Sequence, residues 1–353
     1  MIEKYNEYIS MAKELKEKTN GKVQLLRHKS LKECALNFWL DLIAKYNITF
    51  EGMDKLEQHF LHEAYQCGIT HYYKEDDFEG DVTTIDLNSS YPFIFLQMFF
   101  PFRKPEFKTL KMSDLNIYQN MYSFKYGVYR AEVEYDETKR KQFKWKTNNY
   151  YTNTDLMRAQ TLGLEVKLIE DGEVNAMIYD QEKLIKGEKL FSEYINLFYD
   201  LKKQGVNGAK DFLNILTGAL SKRVRHYVYP TEEKELDLEG KDLINLSNEH
   251  GRLKVEYTDK KIFFKYPFAR ITIFAVAKLK AHLQKQIDKC VENVVYSNTD
   301  SICINADKEF IKKTFNIGSE LGQFKIEYNH CGHLKIENKR LILNNGEWNK
   351  PKV

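Results

Sequence analysis

Asp81-Val82-Thr83-Thr84-Ile85-Asp86-Leu87-Asn88-Ser89-Ser90-Tyr91-Pro92 opens as a β-branched run and closes in a hydroxyl-rich turn. Val82 to Ile85 has the composition of a strand and Asn88 to Pro92 that of a turn, so Asp86 is delivered at the strand's end. Far downstream, Val294-Val295-Tyr296 and Ile302-Cys303-Ile304 read as two strands around the polar segment Ser297 to Ser301, which presents Asp300 at a sheet edge. Two such carboxylates on adjacent strands can hold Mg²⁺. Phosphoryl transfer to a hydroxyl needs this, because cations roughly 3.5–4 Å apart stabilise both the attacking and the leaving oxygen. Mg²⁺ keeps water and takes phosphate oxygens, so few protein ligands suffice. Taken singly, each Asp could equally cap a turn.

Working outward, residues 1 to about 66 predict packed helices, with Leu31, Cys34, Ala35, Phe38, Trp39 and Ile43 at helical spacing. Residues 100 to 180 mix short strands (Tyr126 to Tyr135, Leu164 to Ile169) with charged loops, as in a small inserted α+β unit. Gln181 to Lys203 and Ala209 to Arg223 predict a helical hairpin broken at Gly205 to Gly208. On the second helix Lys210, Asn214 and Thr217-Gly218 fall at i, i+4 and i+7/i+8, hence on one face; a solvated amphipathic helix would carry the same residues. Glu232 to Gly251 reads as a loop-rich insertion, and residues 267 to 290 as a helix. The fold class is α+β.

The chain has 353 residues, 54 Lys and Arg against 51 Asp and Glu, and a net charge of +3. So slight an excess gives no general attraction to nucleic acid or membrane, and any such contact must come from local patches. Cys34, Cys67, Cys290, Cys303 and Cys331 show no CxxC spacing and are odd in number, which favours reduced thiols and a cytoplasmic setting. The charged N-terminus is unlike a signal peptide, and no run of about 18 apolar residues suggests a membrane span.

Taken together and in order, these segments resemble the motifs of the family B DNA polymerases. Asp86-Leu87-Asn88-Ser89-Ser90-Tyr91-Pro92 is similar to motif A, D-x-x-S-L-Y-P. Lys210-x-x-x-Asn214-x-x-Thr217-Gly218 looks like motif B, K-x-x-x-N-S-x-Y-G, and Tyr296-Ser297-Asn298-Thr299-Asp300-Ser301 is similar to motif C, Y-x-D-T-D-S. Ala64-Tyr65-Gln66-Cys67-Gly68 resembles the Y-x-G-G element of the protein-primed branch, found in bacteriophages and linear plasmids. The insertions between the motifs fit that branch as well.

The resemblance implies a polymerase palm, an antiparallel sheet with helices, joined to a helical-hairpin fingers module and two inserted regions. Residues 1–99 would hold the N-terminal helices and the first part of the palm, 100–180 the first terminal-protein region, 181–223 the fingers, 224–256 the second terminal-protein region and 257–353 the rest of the palm. Exonuclease and thumb are expected to be absent. Asp86 and Asp300, with the backbone carbonyl of Leu87, would hold Mg²⁺ or, in its place, Mn²⁺. Tyr91 would pack under the incoming sugar and exclude a 2′-hydroxyl; Ser90, Asn214, Lys210 and Lys202 or Lys203 would complete the nucleotide site. Tyr65, Gly68, Thr299 and Lys339 would touch DNA. The implied partners are primer-template DNA, deoxynucleotides, a terminal priming protein, and a separate exonuclease or processivity factor; no membrane is implied. The setting would be the host cell's cytoplasm if a phage or plasmid encodes the chain.

Some positions depart from the pattern. Asn298 stands where the family has a motif C Asp, which removes a negative charge. Ile215 and Thr217 replace Ser and Tyr in motif B, and Leu341 replaces the Tyr of the later K-x-Y element. These departures keep open a second reading, a weakened homologue acting as a DNA-binding or replication accessory. A primase-like enzyme is disfavoured by Tyr91. Three weaker signals remain: a His330-Cys331-Gly332-His333 cluster with zinc-type side chains, a helix bearing Lys278, Lys280, His282 and Lys285, and the aromatic-basic run Arg140 to Lys146, which would suit single strands or a protein primer.

Overall fold

The computed structural model describes residues 2–66, 70–72, 78–231, 237–259, 262–337, 340–344 and 346–347. An antiparallel sheet carries the two aspartates. Its strands run in the order Thr70–Tyr72, Val294–Asn298, Ser301–Ile304, Glu79–Leu87, Gly332–Glu337, Arg340–Leu343 and Gly346–Glu347, and Phe324–Ile326 also pairs with the central strand, Glu79–Leu87. The alternation of a strand sends Ile85 and Leu87 into the main core with Ile302, Ile304, Phe324 and Ile326, and turns Asp86 to the other face. Around this sheet the chain is α+β, as expected.

Three helices lead in: α1 (Ile2–Lys18), α2 (Leu31–Ala44) and α3 (Lys55–Ala64), the last two capped by the Ser30 and Asp54 side chains. Cys34, Ala35, Phe38, Trp39 and Ile43 are buried on α2, and the Trp39 indole donates to the Leu190 carbonyl at 2.9 Å. The short α4 (Ser90–Gln97) leaves the central strand directly and packs under a helical hairpin formed by Gly187–Lys203 and Ala209–Leu220.

Residues 100 to 180 form their own antiparallel sheet of Glu106–Lys108, Ala176–Ile178, Gly127–Val133 and Tyr150–Thr152, with Val166–Leu168 pairing along the Ala131–Val133 end of Gly127–Val133. Helix α5 (Asn153–Thr161) and a separate apolar core containing Phe124, Tyr129, Phe143, Tyr151 and Leu156 complete the unit. This corrects the reading of the Arg140 to Lys146 run as a binding surface. Phe143 and Lys146 are buried, and the Lys146 ammonium donates to the Ala64 carbonyl at 2.8 Å and lies 3.4 Å from Asp155.

The helical hairpin begins later than its pattern predicts. Leu184–Lys186 pairs with Phe99–Pro101 as a strand, so α6 runs only over Gly187–Lys203; α7 covers Ala209–Leu220 and stops before Arg223, which bridges to Phe264. The segment read as loop-rich, Glu232 to Gly251, contains the strand Lys241–Glu249, the edge of a three-stranded sheet with Arg252–Asp259 and His226–Val228. Its two-residue turn, His250-Gly251, has positive φ at both positions, the geometry that suits a twisted hairpin. Helices α8 (Ala269–Ile287) and α9 (Lys308–Thr314) follow, α8 crossing beneath α4 and α7. Among the described residues no helix is long and apolar enough to cross a membrane.

Candidate active site

Strand register builds the site. Asp86 pairs with Ser301 on one side and with Lys325 on the other. The Leu87 N–H donates to the Asp300 carbonyl at 3.0 Å, so the two aspartates sit on hydrogen-bonded neighbouring segments. Asp300 lies in the tight turn that joins Asn298 to Ser301. Its N–H reaches the Asn298 carbonyl at 2.5 Å, and the Ser301 hydroxyl donates to the same carbonyl at 3.1 Å. Thr299, a β-branched residue, holds φ +48°, a left-handed conformation kept only where surroundings over-determine it. Ser89 is left-handed too, at φ +49°, and turns the chain sharply into α4. That turn places the Ser90 hydroxyl on Asp300 Oδ2 at 2.7 Å and lets the Ser89 hydroxyl accept from the Lys202 ammonium at 2.9 Å.

The electrostatics follow from this crowding. Asp86 is pushed up to about 6, first by burial and then by the charge of Asp300, while Lys325 pulls the other way. Asp300 is raised as well, by burial, against the opposing hydrogen bond from Ser90. Two largely buried carboxylates whose proton affinities are both raised, Asp86 partly by the charge of Asp300, form a site that binds a cation favourably. Lys202 is lowered by burial and by the neighbouring Lys325 and Lys210. Lys325 lies 3.2 Å from Asp86 Oδ2 and 2.6 Å from Glu327 Oε1. Among the described residues no cluster of three or more His, Cys, Asp or Glu side chains is arranged to hold a metal. The groups that could hold a cation here are the Asp86 and Asp300 carboxylates, with the main chain of Leu87 beside Asp86. Such a set fits Mg²⁺, which takes its remaining ligands from water and phosphate.

The other expected residues distribute as follows. Lys210 and Asn214 lie exposed on one face of α7, whereas Thr217, further along that face, is buried, its carbonyl accepting from the Thr272 hydroxyl at 3.1 Å. Lys32 stands over Gly218. Lys203 turns to Glu320, at 2.8 Å, while Lys202 faces the aspartates. Tyr91 packs on the main core beside Phe95. Tyr65 lies under the Arg223 guanidinium, 5.8 Å from its ring centroid. Gly68 and Lys339 lie outside the described residues. The zinc-type cluster disperses: His333 pairs with Glu79 and Asp81, His330 with Glu327, and the Cys331 sulfur accepts from the Thr84 N–H. On α8, Lys280 is bound to Asp155 and His282 packs on Phe93, leaving Lys278 and Lys285 exposed.

Lys325 and Glu327 escaped the sequence reading. The signal is the alternation Phe324-Lys325-Ile326-Glu327, apolar residues buried and charged ones on the Asp86 side, over a strand of three residues.

Residues 3–216, well over half of the chain, match the family described as DNA polymerase type B, organellar and viral. The chain belongs to this family. Its fold is that of Phi29 DNA polymerase. In complex with single-stranded DNA, that enzyme matches with a TM-score of 0.61 at 16% identity, over 92% of this chain and 57% of the other. In its ternary complex with primer-template DNA and incoming nucleotide substrates it matches with a TM-score of 0.59, again at 16% identity, over 92% of this chain and 59% of the other. The type B polymerase chain thus spans less than two thirds of the structure it resembles. No curated protein matches it by sequence.

Proposed function

We propose that this type B polymerase chain is a template-directed DNA polymerase of the protein-primed branch, transferring deoxynucleotides to a primer 3′-hydroxyl or to a protein primer in the cytoplasm of a host cell. The observation that supports the reading best is the joint placement of Asp86 and Asp300 on bonded strands with Lys202 reaching in from the fingers through Ser89. When bound, a pair of Mg²⁺ or Mn²⁺ ions supplies the charge that activates the primer hydroxyl and stabilises the departing pyrophosphate. The chain's own residues do the rest. Asp86 and Asp300 hold the cations, with the Leu87 carbonyl beside them. Ser90 fixes the Asp300 carboxylate through its hydroxyl. Lys202 and Lys210 neutralise the triphosphate, Asn214 lines the nucleotide site, and Tyr91 closes it under the sugar against a 2′-hydroxyl. Tyr65, Gly68, Thr299 and Lys339 contact DNA, and residues 100–180 meet a priming protein.

A weakened homologue that binds DNA or a replication partner is the second reading. Asn298 supports it, since an uncharged side chain occupies the motif C position, and so does the Lys325 ammonium already on Asp86. Primer extension on a templated oligonucleotide, with Mg²⁺ or Mn²⁺, separates the two. Synthesis lost in Asp86→Ala and Asp300→Ala is expected, and no incorporation by wild type under either metal sinks the enzyme reading. In the same assay Asn298→Asp should lower the Mg²⁺ concentration needed for half-maximal synthesis, because a second charge on that turn draws the cation more strongly. An unchanged metal requirement counts against this account of residue 298.

A further inference from the structure

Lys325 has no part in the roles given above, yet among the described residues it forms an ion pair with Asp86 at 3.2 Å. It is the middle residue of Phe324–Ile326, a strand anchored by Phe324 and Ile326 in the main core. Pairing opposite Asp86 brings its stem out on the same face as that carboxylate. Its ammonium is shared, 3.2 Å from Asp86 Oδ2 and 2.6 Å from Glu327 Oε1. The stem is tied to the sheet, but 41% of the side chain is exposed, so the head group has room to move. Glu327 in turn is held by main chain, its N–H donating to the Thr84 carbonyl at 2.8 Å. The second berth for the ammonium is therefore anchored to the sheet at its main chain.

A divalent cation and this ammonium want the same carboxylate oxygens. Asp86 and Asp300 bring two negative charges, Asn298 brings none, and Lys325 offsets one of the two. We infer that Lys325 is a resident counter-cation of the centre, which competes with the divalent metal for Asp86 and moves wholly onto Glu327 when the metal enters. The inference rests on Asp86 and Asp300 being the metal ligands. Lys325 then sets metal affinity low in the free protein, and the metal loads effectively only together with a nucleotide whose phosphates supply further ligands. Lys202, held by the Ser89 hydroxyl, and Lys210 are the cations left to meet those phosphates in the proposed reaction.

The test is Mn²⁺ binding to the full chain without DNA or nucleotide, read from the paramagnetic resonance signal of free Mn²⁺. Lys325→Met should bind Mn²⁺ about tenfold more tightly or better, the response expected when a unit charge leaves contact with a carboxylate. Lys325→Arg keeps the charge and should titrate like wild type. A thermal melt of each variant checks folding, and Mn²⁺ should raise the melting temperature of Lys325→Met by more than it raises that of wild type. Unchanged or weaker binding in Lys325→Met overturns the inference, as does Lys325→Arg binding as tightly as Lys325→Met. Asp86→Asn separates the two levels. If it abolishes binding while Lys325→Met changes nothing, the metal site stands and only the role of Lys325 falls; if binding ignores Asp86→Asn, the metal reading itself fails.

Discussion

Asp86 is a charged group held against its own preference. Its carboxyl is pushed up to about 6 by burial and by Asp300, whereas in the unfolded chain it titrates near 3.9, so the folded state takes up a proton more readily than the unfolded one. The associated stability is fully present below about pH 4 and is lost as pH rises through about 6. Without metal, the ionised carboxylate therefore costs about 1–3 kcal/mol at pH 7.5, after allowing for its partial exposure. Asp86→Asn should recover that stability at pH 7.5 and show little gain at pH 4, as read from urea denaturation at both values with metal chelated. Adding Mg²⁺ together with a deoxynucleotide should then stabilise wild type and leave the variant unmoved. Equal stability of the two proteins at pH 7.5 would contradict this. Asp86 and Asp300 were legible in the sequence because each sits in a worded turn whose local chemistry is complete within a few residues. Lys325 was not, because its relation to Asp86 exists only once the Phe324–Ile326 strand pairs with one more than two hundred positions earlier.

Among the elements, the geometry of the site depends on how closely α6 approaches α4. Gly187 makes that approach possible: a Cβ there would fall 1.8 Å from the Phe95 carbonyl oxygen and 3.0 Å from that of Met98, both main-chain atoms that cannot turn aside. Phe191, one turn on, stacks on Phe95 with ring centroids 4.5 Å apart, and Lys202 at the far end of α6 reaches Ser89. Gly187→Ala must lift the helix from its seat. It should cost about 1–3 kcal/mol, the usual range for overpacking, and raise the KM for deoxynucleotide by displacing Lys202. A melt indistinguishable from wild type would show that α6 has slack the contacts do not reveal. The helices themselves were readable from periodicity, since α2, α6 and α7 each bury one broad stripe. The Lys241–Glu249 and Arg252–Asp259 hairpin was not. Leu243, Ile244, Leu246 and Leu253 are all exposed, so no buried face imposes the alternation by which a strand is recognised.

Over the whole molecule, a net charge of +3 requires any hold on nucleic acid to be local, and one cleft meets that requirement. It encloses about 740 Å³ beyond the C-terminal end of α7 and is lined by Lys32, Lys222, Arg223, Arg225 and Lys265 beside Tyr65, with no acidic side chain among the described residues of its walls. Arg223 is fixed there, its guanidinium between the Tyr65 and Phe264 rings and 3.0 Å from His62 Nδ1, while Lys222 and Arg225 project freely into solvent. Tyr65 belongs to the element expected to touch template, so the proposed polymerase would lead its single-stranded template through this cleft. Counterion release makes that measurable, because log affinity for a single strand falls with log salt by about 0.7 per phosphate neutralised. Lys222→Ala with Arg225→Ala should flatten the slope for single-stranded DNA by about 1.4 if each neutralises one phosphate. Both side chains are exposed and outside the core, so the fold should be unaffected. A parallel loss of affinity at every salt concentration, with the slope unchanged, would mean that these two cations meet no phosphate and that the template takes another path across the sheet.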